Sequence, residues 1–504
     1  MLSLGCLVLV VLTFLVFGLY NRRSRYPPGP FPIPILGNLP TFVVRYFIYG
    51  HGPADVMLAW KRRYGKVFTV WFGPLVCVAV ADYDVAVQTY VKDGDAHVDR
   101  FEIGLFTLLR EGYGLILSSG FRWLEQRRFA LHTLRDFGYG KNLMQERILQ
   151  QYHAQMDVVD REIQQNGGRL KFEPRTKFLD LMIGSVINQI MVGYSFDKTN
   201  ADEYLKIRED LEYATREFNI LDFALINDFT KNLPFLRGRY EKMKMMQEKP
   251  MAFVKKQIAQ RQAEIASGVH ILQEGEPSDF LDAYFLEMRR REQNGDLGEF
   301  SEKQVAFAIL DMWQAGMETT IATISWGFAY LVNHAEIQDK MREELWNVVG
   351  RSQDVSMGHK LDLPYSSAVV AETHRLSSIL SLNIWREAVR DCEIGGYKIK
   401  KGTANALMMS VIARDETVFE EPEKFKPERF IEDKTLEQKV MPFGMGKRQC
   451  LGEGLARAEV FLILTNLVKN YRLIDEDGTV EWKRGCEFAF ARMPFAAEIT
   501  FEKL

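Results

Sequence analysis

The sequence predicts a mainly α-helical protein with a small β portion, an α+β class built as one large body. Three observations predict it. Between Phe121 and about Gly350, apolar residues recur at helical spacing in long stretches near 141–164, 176–191, 239–266 and 301–332. Strand-like patterns are confined to 66–81 and to short pieces at 387–400 and 498–502. No linker after Pro34 divides the chain, although 504 residues would by length alone suggest about three domains.

Composition narrows the class. With 47% hydrophobic and 26% charged residues the chain has globular proportions, which excludes disorder and a polytopic membrane protein. Lys and Arg number 64 against 67 Asp and Glu, a net charge of −3, so no basic excess exists to hold a nucleic acid. The five cysteines, Cys6, Cys77, Cys392, Cys450 and Cys486, form neither a CxxC pair nor a zinc spacing. An odd, sparse set is no disulfide framework. A cysteine with a chemical task must perform it alone.

The elements follow in order. Residues 2–20 are apolar apart from Ser3, Gly5, Cys6, Thr13 and Gly18. At about 1.5 Å per residue, a helix of that length matches the hydrocarbon core of a bilayer. Arg22, Arg23 and Arg25 follow and no charge precedes, so the positive-inside rule keeps the large C-terminal part cytosolic. A cleaved secretory signal is the alternative, but the run lacks a basic start and an A-x-A-like site. Pro27, Pro28, Pro30, Pro32 and Pro34 then crowd one stretch, which favours a stiff polyproline spacer. The expected organisation is a transmembrane anchor at 1–21, a basic and proline-rich neck at 22–37 and a body at 38–504. Residues 66–81 read as a β-hairpin turning at Phe72-Gly73-Pro74. The stretch 301–332 carries little charge between Val305 and Trp326, so it should cross the core.

The most informative segment is Pro442-Phe443-Gly444-Met445-Gly446-Lys447-Arg448-Gln449-Cys450-Leu451-Gly452. A glycine-bearing loop delivers one cysteine to the start of a helix expected at 451–469, where backbone N–H groups favour a thiolate. Gly444, Gly446 and Gly452 would let a flat partner approach the backbone. Phe443 can cover the sulfur, and Arg448 can meet an anion. Such a thiolate suits nucleophilic catalysis or metal ligation; an inert buried cysteine is the common third reading.

Phe443-x-x-Gly446-x-Arg448-x-Cys450-x-Gly452 resembles the haem-binding signature of the cytochrome P-450 superfamily. The resemblance implies that Cys450 is the axial thiolate ligand of the iron of haem b, which favours O–O cleavage. Other motifs extend it. Glu372-Thr373-His374-Arg375 is an ExxR pair; the same spacing at Glu125/Arg128, Glu287/Arg290, Glu387/Arg390 and Glu481/Arg484 shows how little spacing alone says. Glu372, however, follows an apolar approach that would bury it. With Arg429 of Phe425-Lys426-Pro427-Glu428-Arg429-Phe430 the pair resembles the family's structural Glu–Arg–Arg triad. Ala315-Gly316-Met317-Glu318-Thr319-Thr320 resembles the oxygen-binding helix. It implies that Thr319 hydrogen-bonds dioxygen and Glu318 helps deliver protons, with Gly316 opening space over a flat ligand. Trp123 and Arg127 resemble a WxxxR propionate element, joined by Arg100 and Arg386; Trp385 stands where many relatives have His. The resemblance spans nearly the whole chain and is nearest to animal microsomal enzymes.

What it implies is a monooxygenase of the endoplasmic reticulum membrane, single-pass, with its catalytic part on the cytoplasmic side. It would insert one atom of O2 into small apolar substrates of xenobiotic, steroid or fatty-acid type. Electrons would come from an NADPH-dependent flavoprotein reductase, with cytochrome b5 as second donor, and membrane lipid would be a further partner. Lys447, Arg122, Arg128 and Arg135 are candidates for the docking patch. By the same analogy the pocket is lined by 97–117, 218–236, 306–317, 382–385 and 488–495, with Phe106, Phe218, Phe223, Phe229 and Trp313 making it aromatic. A peroxide isomerase or dehydratase and a non-enzymatic haem or gas carrier are the alternatives.

Overall fold

The structure is a computed structural model that describes residue 18 and residues 21–50, 52–137, 142–197, 199–217, 220–483, 485 and 492–504. The expected anchor at 1–21 lies, but for Gly18 and Asn21, outside the described residues, as do Cys6, Cys486, Phe218 and 488–491 of the expected lining segment 488–495. Among the described residues, no helix is long and apolar enough to cross a membrane.

Helices dominate: α1 (Leu39–Tyr49), α2 (Pro53–Tyr64), α3 (Gly104–Arg110), α4 (Gly120–Asp136), α5 (Asn142–Gln165), α6 (Asp180–Val192), α7 (Ala201–Glu217), α8 (Pro234–Ala266), α9 (Phe280–Gln293), α10 (Glu302–Asn333), α11 (Ala335–Val348), α12 (Pro364–Ser377) and α13 (Glu453–Asn470), joined by shorter turns. The strands are short: β1 (Val67–Phe72), β2 (Leu75–Val80), β3 (Asp99–Arg100), β4 (Arg169–Phe172), β5 (Arg386–Glu387), β6 (Cys392–Ile394), β7 (Tyr397–Ile399), β8 (Ala404–Leu407), β9 (Tyr471–Ile474) and β10 (Ile499–Lys503). They form a five-stranded sheet of order β1-β2-β8-β5-β3, a three-stranded sheet β4-β10-β9 and the β6-β7 hairpin. This is the expected mainly α architecture with a small β portion.

The core explains why α10 is long. Ser301 caps it by accepting from the Gln304 N–H at 3.1 Å, and Glu302 suits the positive end of the helix dipole. Its residues 305–310 are all buried, packed in one cluster with α5, α6, α8, α9 and α13. The hairpin turns where expected, with Phe72 opposite Leu75 and Gly73 at φ +61°. Both faces of β1 and β2 are buried: Phe68, Val70, Phe72, Cys77 and Ala79 join one cluster, while Val67, Val78 and Val80 join another.

Four expectations shift in detail. The stretch 387–400 is no single strand; β5 ends at Glu387 and β6 and β7 turn at Gly395 and Gly396, both at positive φ. The stretch 176–191 opens as a π-turn over Arg175–Leu179 before α6 begins. Helix α8 starts at Pro234, ahead of 239, because proline is tolerated in a first turn that needs no N–H partner. Helix α13 starts at Glu453, so Cys450 lies three residues before it.

The neck is held to the sheet. Thr69 Oγ1 donates to Pro27 O at 2.8 Å and the Thr69 N–H to Pro28 O at 3.0 Å; directly after the neck, the Trp71 N–H donates to Asn38 Oδ1 at 2.8 Å. Its rigidity thus comes from pairing along β1 as well as from its prolines.

Candidate active site

A cavity of about 430 Å³ opens where α10, the loop at 114–117, the segment after α12 and the cysteine loop converge. The loop presents Cys450 to it. The Cys450 N–H donates to Phe443 O at 2.9 Å, closing the loop on itself. Burial pushes the thiol up, while a hydrogen bond from the Gly452 N–H and the Arg127 charge pull it down. Phe443 lines the same cavity, set edge-on to His374 at 5.5 Å. Gly452 has open space where a side chain would project, as expected beside a flat partner. Gly446 serves another contact. It sits at φ +72°, and a Cβ there would fall 1.8 Å from Tyr90 O, so it admits the Tyr90 backbone.

Four buried or half-buried arginines, all named from sequence, line one side with Trp123. Arg448 donates to Val98 O at 2.5 Å and Ser118 O at 2.7 Å. Arg100 donates to Ile116 O and Ile384 O, both at 2.8 Å. Arg127 donates to Gln449 O at 2.7 Å and Arg386 to Met445 O at 2.7 Å. The Arg448 guanidinium lies 3.8 Å from the centre of the Trp123 ring, with Arg127 at 5.8 Å. All these hydrogen bonds go to backbone carbonyls, and among the described residues no carboxylate pairs with any of the four. Arg386 Nε and Nη1 and Arg448 Nη1 are buried without a partner. Burial and mutual repulsion push Arg448 down to about 7; burial pushes Arg100 down to about 9 and Arg386 to about 10. Such a cluster calls for an anion of more than one charge. A dianionic porphyrin bound through a thiolate fits both this cluster and Cys450.

Helix α10 forms the facing wall. Ala315 and Thr319 face the cavity, and Thr319 Oγ1 donates to Ala315 O at 2.5 Å. Glu318 also lines it, with its carboxylate 2.6 Å from Arg208 Nη2; Arg208 Nε in turn donates to Asp180 at 2.9 Å. Gly316 opens no gap for a flat ligand. A Cβ there would come 2.7 Å from Ile187 Cδ1, so the glycine lets α6 pack against α10. The structural triad assembles as expected, fully buried. Arg375 grips Glu372 in a bidentate pair at 2.7 and 2.8 Å, and Arg429 Nε donates to the same carboxylate at 3.1 Å.

The aromatic lining is thinner than expected. Phe106 and Phe223 meet at 4.9 Å in the wall. Trp313 is core, its indole N–H donating to Asn188 Oδ1 at 3.2 Å, and Phe229 is exposed. His97 is buried away from the cavity, and Trp385 belongs to the core beside Phe72. Phe235 is exposed while Leu236 is buried. Lys447 pairs with Asp95, and Arg122 with Glu299 at 2.6 Å. Arg110, within the expected lining segment 97–117, has its Nη1 3.1 Å from Asp311 Oδ1, whereas sequence reading missed Arg208, His374 and Glu459 in the wall. Glu459 carried a signal, a single acid before the apolar run 460–464.

Residues 27–501 match the family model described as Cytochrome P450. Among curated relatives, the probable cytochrome P450 cyp-35D1 of Caenorhabditis elegans is 30% identical over 502 residues, covering 99% of each chain. Cytochrome P450 2H2 of Gallus gallus is 33% identical over 459 residues, 90% of this chain and 88% of its own. Cytochrome P450 2A6 of Homo sapiens is 29% identical over 479 residues, 93% of this chain and 91% of its own. A match across nearly the whole chain, on a fold that brings a cysteine and a cluster of arginines to one cavity, leads to one conclusion: the chain belongs to the cytochrome P450 family, haem-thiolate monooxygenases that use haem b.

Proposed function

We propose that this monooxygenase acts on small apolar organic molecules of xenobiotic, steroid or fatty-acid type, at the cytoplasmic face of the endoplasmic reticulum membrane. Residues 1–21 would anchor it, 22–37 form the neck and 38–504 the catalytic body. Its electrons come from an NADPH-dependent flavoprotein reductase, with cytochrome b5 as second donor and membrane lipid as the medium from which substrate enters. The observation that carries this reading is one mostly apolar cavity whose wall includes both Cys450 and Thr319.

Cys450 is the residue to ligate the haem iron, with Phe443 shielding the sulfur from water and Gly452 leaving room for the ring. Arg100, Trp123, Arg127, Arg386 and Arg448 hold the propionates, and Gly446 keeps the loop seated on Tyr90. When bound, haem supplies O2 activation, which a thiolate ligand favours by pushing electron density toward iron. Thr319 would offer its hydroxyl from the α10 wall, exchanging its bond to Ala315 O for one directed into the cavity. Glu318, held by Arg208, is the neighbouring carboxylate that exchanges protons with it. Phe106, Leu109, Leu115 and Phe223 exclude water and orient apolar substrate. Glu372, Arg375 and Arg429 do no chemistry; they lock the segments flanking the cysteine loop.

Purified protein with reductase and NADPH should consume O2 faster when an apolar substrate is added. Turnover of a hydroperoxide with no need for NADPH would contradict the proposal.

A further inference from the structure

Most polar side chains near the start of the α10 wall already have their partners. Trp313 gives its indole N–H to Asn188 Oδ1, and Asp311 accepts from the Leu115 and Ile116 N–H groups at 2.7 and 2.9 Å. Glu318 stands 2.6 Å from Arg208 Nη2. Gln314 differs. It lines the cavity, half-buried, and its Oε1 accepts from Arg110 Nη2 at 2.5 Å. Its NH2 group has no partner among the described residues.

Arg110 decides which end of that amide is left over. A guanidinium carries donors only, so the amide oxygen faces it and the NH2 group turns to the other side. The opposite orientation would set donor against donor. Arg110 is itself held: it is 9% exposed, its Nη1 lies 3.1 Å from Asp311 Oδ1, and its guanidinium carbon lies 5.8 Å from the centre of the Phe307 ring. The result is an oriented, unused donor in a wall that Phe106, Leu109, Leu115 and Phe223 make apolar. An amide N–H that meets only apolar ligand atoms costs free energy, and one that meets an acceptor recovers it. The chemistry of the acceptor follows from its surroundings. The donor is uncharged, and Arg110 and Arg208 already stand against carboxyl groups. A carboxylate would give up its hydration for one neutral N–H, at a cost that a carbonyl oxygen does not meet.

We propose that Gln314 determines substrate specificity: its NH2 group donates to a neutral carbonyl oxygen of the substrate and so sets which carbon is oxidised. Gln314 precedes Thr319 by five residues on α10, a separation of about 8 Å along the helix axis. The carbon to be oxidised therefore lies at about that distance from the carbonyl oxygen. Arg110 is a positioning residue, acting through the amide that it orients. The inference rests on the monooxygenase reading above and deepens it. It narrows the substrates from small apolar molecules to those that carry a ketone, ester or amide carbonyl remote from the oxidised carbon.

The test titrates holoprotein with methyl nonyl ketone, undecane and undecanoic acid, which share one chain length, and follows the spin-state change in the absorption spectrum. The ketone should bind the unmutated protein more tightly than the acid does. The ratio of ketone affinity to undecane affinity should fall by about tenfold in Gln314→Met, which keeps the side-chain length. It should fall as far in Gln314→Glu, which keeps an oxygen on Arg110 and loses the NH2 donors. A ratio removes any general change in the pocket. The infrared C=O band of the bound ketone, labelled at its carbonyl carbon, should lie below its position in hydrocarbon solvent. It should return to that position in Gln314→Met and broaden in Arg110→Met, where the amide is free to turn. Hydroxylation should fall on the half of the chain remote from the carbonyl and spread along the chain in Gln314→Met. An affinity ratio or a C=O band that Gln314→Met leaves unchanged overturns the proposal, and so does tighter binding of the acid. Failure of the monooxygenase reading looks different. A reduced carbon monoxide complex of the unmutated protein without the red-shifted thiolate band contradicts that reading, whereas the band together with no Gln314-dependent preference contradicts this inference alone.

Discussion

Glu287 and Glu372 each stand three residues ahead of an arginine, and each forms the pair that spacing allows. Arg290 reaches Glu287 at 2.7 Å with its side chain 62% exposed, whereas Glu372 and Arg375 are both fully buried. Removing the exposed partner, Arg290→Ala, should change stability by at most ~1 kcal/mol. Glu372→Ala leaves two buried guanidiniums without their carboxylate and should cost about 3–5 kcal/mol, measured by denaturant unfolding. Equal costs would contradict the burial argument. Two histidines make a second prediction. Burial pushes His374 down to about 3 and His97 down to about 4, while the unfolded chain protonates near 6.5. The folded state therefore binds fewer protons below pH 6.5. Stability is full above that pH and is lost as pH falls toward about 4 for His97 and about 3 for His374, by ~2 kcal/mol for each histidine at pH 5. Melting temperatures at pH 7 and pH 5 should separate, and less so in His374→Gln; an unchanged slope would contradict it.

At the scale of elements, the glycines of the cysteine loop show what a motif encodes. Gly444 and Gly446 both have positive φ, at 68° and 72°. Around Gly444 a side chain would meet nothing within 4 Å, but at Gly446 it would strike the Tyr90 carbonyl. Gly444→Ala should cost about 1–2 kcal/mol of backbone strain. Gly446→Ala adds a clash with backbone that cannot move aside, and should lower the yield of haem-loaded protein far more. Comparable yields would mean the loop is not seated on Tyr90. The pattern of long helices was legible because burial on one face writes a 3.6-residue period. Three things had no such trace. The break of 387–400 into β5 and a separate hairpin depends on Gly395 and Gly396 taking positive φ. The docking of the neck on β1 uses backbone carbonyls, which no side chain announces. The role of Gly316 depends on where Ile187 lies, on another helix.

At the scale of the molecule, the fold gathers residues from four distant stretches, Arg100, Trp123 with Arg127, Arg386 and Arg448, around one side of the cavity. Each was legible only through resemblance to a motif, since a lone arginine is usually solvated. Their common lack of an acidic partner among the described residues was invisible in sequence, because it is a property of the assembled site. Arg448→Gln should keep the fold and speed haem loss to an excess of apomyoglobin; unchanged loss would remove Arg448 from the propionate set. The central claim is the bond between one sulfur and iron. Its most direct test is the absorption spectrum of the reduced carbon monoxide complex of the unmutated protein and of Cys450→His. A red-shifted Soret band in the first, absent from the second, is the predicted result. The same band in both, or none in the first despite bound haem, would contradict the account.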